Sequence, residues 1–329
     1  MTGVFEDVTG SGFDDSFSAD SLGSSRTIDG GAGTDTLSAD NVANSWDITG
    51  SDSGTVAGDV AFSGFESLQG GSDTDTFSFD DGVTFNGTVD GGSGTNTLDY
   101  SAWTTAVTVD LVQDTATGTG GATNFDNATG GSGNDQLIGD PGDNVLTGGL
   151  GDDTLTDGMG DDSLDGSAGD DTYVLTPGSD DVVHDGEGDD VVDFSMAQNN
   201  VSVVAGSTTT SGDDSVTFVG DFETYFLTDG DDLLDGTALT FGITVHGGPG
   251  DDEITGTSQA DLLLGGLGGD VLNGAAGNDV LLGQEEEAGH RRVELLRPRI
   301  RELVRLRIPR RALDVHAVDV ATVLRLLTL

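Results

Sequence analysis

From Gly130 the chain repeats a unit of nine: six turn-forming residues, then a polar, an apolar and a variable position. The units GGSGNDQLI, GDPGDNVLT, GGLGDDTLT, DGMGDDSLD and GSAGDDTYV follow one another without a gap to Val174. Their eighth positions, Leu137, Leu146, Leu155, Leu164 and Tyr173, each supply one large apolar side chain. A three-residue strand with one inward side chain is too short to stand alone. The pattern therefore predicts stacked coils, in which each strand pairs with the coils above and below and the inward residues form a narrow core. A second run starts at Gly247 (GGPGDDEIT, GTSQADLLL, GGLGGDVLN, GAAGNDVLL), with Ile254, Leu263, Leu272 and Leu281 inward.

Single copies stand at Gly30, Gly70 and Gly91, and weaker echoes at Gly10, Asp180–Val183, Asp185 and Gly230–Leu234. Three stretches, 39–69, 100–129 and 194–227, break the period and are rich in Thr, Val and Ser. Short strand patterns occur in the last two, Val107–Leu111 and Val201–Val204. Several repeat blocks follow a similar lead-in: Phe62–Leu68, Asn124–Asn127 and Phe218–Glu223. The expected organisation is an irregular β-solenoid over 1–129, a roll over 130–193, irregular coils over 194–246, a second roll over 247–283 and an Arg/Leu-rich tail over 284–329. The alternative for the interrupting stretches is a set of small separate β-domains between rolls. In the tail, His316, Asp319, Thr322, Arg325 and Thr328 recur every third position among apolar residues, which predicts an amphipathic helix. The fold class expected is all-β, a parallel β-roll or β-solenoid, with a short helical tail.

Charge changes this picture. The 329 residues carry 60 acids against 11 bases, a net charge of −49; ten of the acids are Glu and the other 50 Asp. Gly is abundant at 54, Pro scarce at 5, and Lys absent. Low hydrophobicity with such a charge usually means disorder, so folding requires a neutralising partner. Nucleic acid and anionic membranes would be repelled, which leaves cations. Adaptation to high salt is a second, compatible reading. Ten of the eleven Arg lie after residue 290, so the tail alone is net basic and is the one segment suited to a membrane. There is no Cys, hence no disulfide or thiolate site. No N-terminal signal peptide is visible, and nothing before residue 290 is apolar enough to span a membrane.

The chemistry sits in the turns. Sixth positions hold Asp135, Asn144, Asp153, Asp162 and Asp171 in the first run, and Asp252, Asp261, Asp270 and Asp279 in the second. Asp35, Asp75 and Asn96 take that place in the single copies. Glycines at the first, second and fourth positions permit a tight turn through positive φ. A turn carboxylate beside exposed carbonyls is a set of hard oxygen ligands suited to Ca²⁺.

This nonapeptide resembles the RTX, or haemolysin-type, calcium-binding repeat. The resemblance implies a parallel β-roll with two nonapeptides per coil. It also implies Ca²⁺ between consecutive turns, held by sixth-position carboxylates and turn carbonyls. On that basis the ligand role is carried to Asp135, Asp153, Asp162, Asp171, Asp252, Asp261, Asp270 and Asp279, and to Asp35 and Asp75. Asn144 and Asn96 offer a neutral oxygen and a weaker site. Gln259 and Asp73 replace the turn Gly, and the copies at 30, 70 and 91 lack an adjacent nonapeptide in sequence.

Enzymatic motifs are missing. The histidines His184, His246, His290 and His316 are scattered, with no HExxH and no GxSxG. His184 and His246 read as turn or surface residues, and Phe5, Phe65, Tyr173, Trp46 and Trp103 as core plugs. Paired acids such as Asp152–Asp153 recur wherever the repeat does, which accounts for them without catalysis. Three functions remain. The first is a secreted or cell-surface calcium-binding structural or adhesive protein that folds on Ca²⁺ and meets a surface or extracellular polymer. The second is the RTX module of a larger secreted enzyme or toxin. The third is an ice- or carbohydrate-binding module, for which Thr34–Thr36, Thr74–Thr76 and Thr95–Thr97 are spaced too unevenly to form a flat array. The tail fits a type I secretion signal, against its Arg density, or an out-of-frame gene end.

Overall fold

The computed structural model describes residues 7–19, 26–58, 60–176, 180–197, 200–204, 208–211, 214–284, 290–297 and 300–309. They form short strands and turns, with no α-helix among the described residues. The chain divides into two compact units, Met1–Tyr173 with Asp181–Gly188, and Val174–Asp180 with Asp189–Leu329.

In the first unit the repeats stack as read. Strand Gln136–Ile138 pairs in parallel with Thr154–Thr156, placing Leu137 beside Leu155. On the other face Val145–Leu150 pairs in parallel with Ser163–Ala168, placing Leu146 beside Leu164. One coil is thus two nonapeptides. The inward residues Leu137, Leu146, Leu155, Leu164 and Tyr173 are fully buried. In the second unit Glu253–Thr255 pairs in parallel with Val271–Asn273, and Leu262–Leu267 with Asp279–Gln284. Ile254 and Leu263 are fully buried there, whereas Leu272 is only half-buried.

The interrupting stretches differ from simple wide coils, because each contains an antiparallel hairpin. Asn44–Gly50 pairs antiparallel with Ser53–Val56, and that strand in turn with Val60–Ser63. Thr108–Asp110 pairs antiparallel with Thr115–Ala116. Ser202–Val204, Thr208–Ser211 and Asp214–Val219 form the third case. The parallel ladder nevertheless runs on around them. Asn44–Gly50 pairs with Asp75–Phe79, Thr108–Asp110 with Gln136–Ile138, and Ser202–Val204 with Leu233–Asp235.

The inserted coils are wider and are filled by rings. Trp46 stacks on Phe77 at 5.1 Å and Phe79 on Tyr100 at 4.8 Å. Phe65 meets Phe17 and Phe62 edge-on. Trp46, Phe65 and Tyr173 are fully buried and Trp103 nearly so, while Phe5 lies outside the described residues. A further consequence corrects the Thr spacing argument. The hairpin coil brings Thr76 beside Thr97, in one row with Ser45 and Asn127.

The helix read over His316–Thr328 lies outside the described residues. The tail that is described forms two antiparallel strands, His290–Arg297 and Ile300–Pro309. Their alternation, as in Val304-Arg305-Leu306-Arg307-Ile308, is a strand period. His184 and His246 are half-buried strand residues, not turn residues. His246 stacks on Phe226 at 4.3 Å, and burial pulls its pKa below the usual histidine value.

Candidate metal centre

All but one of the repeat turns named from the sequence bury their sixth residue. Asp35, Asp75, Asp135, Asp153, Asp162, Asp171, Asp252, Asp261 and Asp279, with Asn96 and Asn144, are at most 5 % exposed; Asp270 is half-buried. One side-chain oxygen points back along the stack and accepts the backbone N–H of the sixth residue one coil earlier. Asp135 N donates to Asp153 Oδ1 at 2.7 Å, and Asp153 N to Asp171 Oδ1 at 2.7 Å. Asn144 N donates to Asp162 Oδ1 at 2.7 Å, and Asp162 N to Asp181 Oδ1 at 3.0 Å. In the second unit Asp252 N donates to Asp270 Oδ1 and Asp261 N to Asp279 Oδ1, both at 3.3 Å.

The single copies join such ladders too. Their neighbours are distant in sequence and adjacent in space. Asp15 N donates to Asp35 Oδ1, and Asp35 N to Glu66 Oε2. Asn44 N donates to Asp75 Oδ1, Asp75 N to Asn96 Oδ1, and Asn96 N to Asp126 Oδ2. Each lead-in acid therefore occupies a rung: Glu66, Asp126 and, by accepting from Asp190 N at 2.9 Å, Glu223. The recurring aromatic–acid pair (Phe65-Glu66, Phe125-Asp126, Phe222-Glu223) was the signal in the sequence. Two further rungs, Asp181 and Asp232, sit in the weak echoes; Asp232 accepts from Val201 N at 2.8 Å. Both are hidden in the sequence because Thr176 and Leu227 stand where the first Gly belongs.

The second oxygen of each carboxylate decides what the turn can hold. Oδ2 of Asp35, Asp153, Asp162 and Asp252 is buried and receives no hydrogen bond. Buried acceptors without a donor are rare and costly. At Gly148 and Gly247 packing also requires glycine, since a Cβ there would collide with Oδ2 of Asp153 or Asp252. Burial pushes the carboxyl of Asp153 up to about 7, Asp162 up to about 8, Asp171 up to about 6 and Asp252 up to about 7; neighbouring aspartates add to the rise. Burial also raises Asp135, Asp232, Asp270 and Asp279. Ionising these groups puts negative charge into buried turns, which burial and the neighbouring aspartates both disfavour.

A dication with oxygen preference would offset that charge. Among the described residues no three His, Cys, Asp or Glu side chains converge on one point. Ca²⁺ takes six to eight oxygens, so an ion here would draw one or two carboxylate oxygens from the ladder and the rest from turn carbonyls and water. The donor set fits calcium and excludes a soft or nitrogen-preferring metal.

Comparison with known families agrees with this geometry. Residues 27–44, 120–155, 138–173, 147–180 and 246–281 match the family model of the RTX calcium-binding nonapeptide repeat (4 copies). The matched residues leave out the hairpin at Asn44–Val56 but for its first residue, and the hairpin at Thr208–Val219 altogether. No curated protein matches the chain.

Proposed function

Because the chain carries RTX calcium-binding nonapeptide repeats, we propose that it is a non-catalytic structural or adhesive protein of the cell surface or extracellular space, completed by Ca²⁺. The observation that carries this reading is the set of buried carboxylate oxygens left without a donor at Asp35, Asp153, Asp162 and Asp252. Bound calcium supplies positive charge and a coordination centre for the turn. The ladder carboxylates orient the turn through Oδ1, the burying coils exclude water, and the inward leucines close the core beneath. Where free Ca²⁺ is low, charge repulsion between successive aspartates keeps these coils open and suited to export. Where it is near millimolar, the range of weak extracellular sites, each occupied site adds RT ln(1 + [L]/Kd) to stability, so several weak sites together drive folding.

Far-UV circular dichroism of the full chain during a Ca²⁺ titration tests this, with Mg²⁺ and concentrated KCl as controls. The expected result is a cooperative, Ca²⁺-specific rise in β signal. A full β signal in KCl, unchanged by Ca²⁺, would show that the acid excess serves salt tolerance alone.

A second reading rests on the row Ser45, Thr76, Thr97 and Asn127. In-register parallel strands lie about 4.8 Å apart, so these hydroxyl and amide groups form a regular strip suited to a periodic surface such as ice or a polysaccharide. Adsorption assays with Thr76→Val and Thr97→Val would show loss of binding without loss of fold.

A further inference from the structure

The turns fall into two backbone classes that their sequences announce only in part. In six of them the second residue's N–H donates to the sixth residue's free oxygen. The pairs are Ser11 to Asp15, Gly71 to Asp75, Gly131 to Asp135, Asp140 to Asn144, Thr228 to Asp232 and Thr257 to Asp261, at 2.5 to 2.8 Å. In the turns of Asp35, Asp153, Asp162 and Asp252, whose Oδ2 has no donor, the second residue is a glycine at positive φ: Gly31 at 97°, Gly149 at 116°, Gly158 at 113° and Gly248 at 96°; Gly266 of the Asp270 turn shares that conformation at 107°. That conformation turns the N–H away from the carboxylate. Gly31 and Gly158 donate instead to the preceding Asp29 and Asp157.

The closed class comes first in a stack and the open class follows: Gly149 is succeeded by Ser167 at φ 74° and Gly248 by Gly266 at φ 107°. Gly149 lies over Gly131, as Leu150 N donates to Gly131 O at 2.9 Å, and Gly31 lies over Ser11 in the same way, Ala32 N to Ser11 O at 3.1 Å. Gly158 follows Asp140 and Gly248 follows Thr228, each close against the carbonyl of the earlier residue. A turn that opens a run has no repeat turn before it and satisfies its own carboxylate; the next turn is open. Two of the closed turns go further. The Thr228 hydroxyl donates to Asp232 and the Thr257 hydroxyl to Asp261, both at 2.9 Å, so each carboxylate receives a side-chain and a main-chain donor where an ion would otherwise bind.

We propose that the conformation of the turn's second residue selects which rungs bind calcium: Asp35, Asp153, Asp162 and Asp252, where it leaves Oδ2 without a donor, are among those that supply the ion's carboxylate, while Thr228 and Thr257 close Asp232 and Asp261 to metal. This rests on the calcium reading above and narrows it. Repeat count overstates ion count, and Asp261 stabilises its turn as a hydrogen-bonded rung.

Calcium stoichiometry of the full chain, by native mass spectrometry and equilibrium dialysis, separates the classes. D153N and D252N are each expected to lose one ion relative to the unsubstituted protein, and D232N and D261N none. Circular dichroism at saturating Ca²⁺ checks that each variant folds. T257V, which removes the hydroxyl and keeps the carboxylate, provides a second route: it should keep the ion count and lower stability equally with Ca²⁺ and with chelator. Equal ion loss in D261N and D153N would overturn the selection rule while leaving calcium binding intact. No calcium bound by the unsubstituted chain would overturn both.

Discussion

Two stretches of the first unit solve one problem differently. Residues 44–129 and residues 130–184 both stack turns whose sixth side chains bridge to the coil before. In the earlier stretch the rungs run Asn44, Asp75, Asn96, Asp126, so an amide separates each pair of carboxylates. The amides also donate: Asn44 Nδ2 to Asp75 Oδ1 at 2.7 Å, and Asn96 Nδ2 to Asn124 O at 3.0 Å. Asp75 thus accepts from Asn44 and from Gly71 and has both oxygens satisfied. Stacked aromatics fill the core beneath. In the later stretch Asp135, Asp153 and Asp171 follow one another with no amide between them, over a core of single leucines. The first arrangement is complete within the protein, and the second leaves Asp153 Oδ2 without a donor. On the proposed calcium reading, dependence on the ion belongs to particular rungs and not to the repeat as a whole.

The largest expected effect comes from pH in the presence of chelator. A carboxyl whose folded pKa lies above its unfolded value binds more protons when folded, so its contribution is present below about pH 4 and is lost as pH rises through the folded pKa. For Asp171, Asp153 and Asp162 that window extends to about 6, 7 and 8. Without Ca²⁺ the later stretch should lose stability steadily from pH 5 to 8, while saturating Ca²⁺ should abolish or reverse the trend. Urea unfolding at each pH measures this. Stability rising with pH in chelator would break the comparison.

Core truncations come next. Phe77→Ala should cost about 3–5 kcal/mol with or without calcium, since its stacking on Trp46 does not depend on an ion. Leu155→Ala should cost about 2–5 kcal/mol in Ca²⁺ and almost nothing in chelator, where its coil is already open. Denaturant titrations in both conditions separate the two patterns. The smallest effect is expected from Asn96→Asp, which removes a donor to Asn124 O and sets three carboxylates in a row. It should cost about 1–3 kcal/mol in chelator, and added Ca²⁺ should restore part of the loss.

The sequence made the regular part of this legible. Nine-residue periodicity placed Leu137 to Leu164 inside and the sixth residues in the turns, because strand alternation and turn chemistry are local. The hairpins were less visible. Val60-Ala61-Phe62 has no clean period, and its strand direction depends on partners set by the whole coil. The rungs Glu66 and Asp126 were seen only as a recurring lead-in, since a bridge across some thirty residues leaves no spacing to read. The two turn classes were legible only in part: Ser11, Asp140, Thr228 and Thr257 stand where the open turns have glycine, but glycine occurs in both. Gly130-Gly131 and Gly148-Gly149 are the same dipeptide, yet Gly149 has φ 116° and Gly131 is not in that region. What lies one coil earlier, Trp103 for Gly131 and Gly131 itself for Gly149, makes the difference.

Hydrogen exchange of the full chain, with Ca²⁺ and with chelator, tests the central claim most directly. The account predicts that chelation strips protection from Gln136–Ile138, Thr154–Thr156 and Ser163–Ala168 while Asp75–Phe79 and Thr97–Asp99 stay protected. Uniform loss across both stretches, or no loss in either, would contradict it.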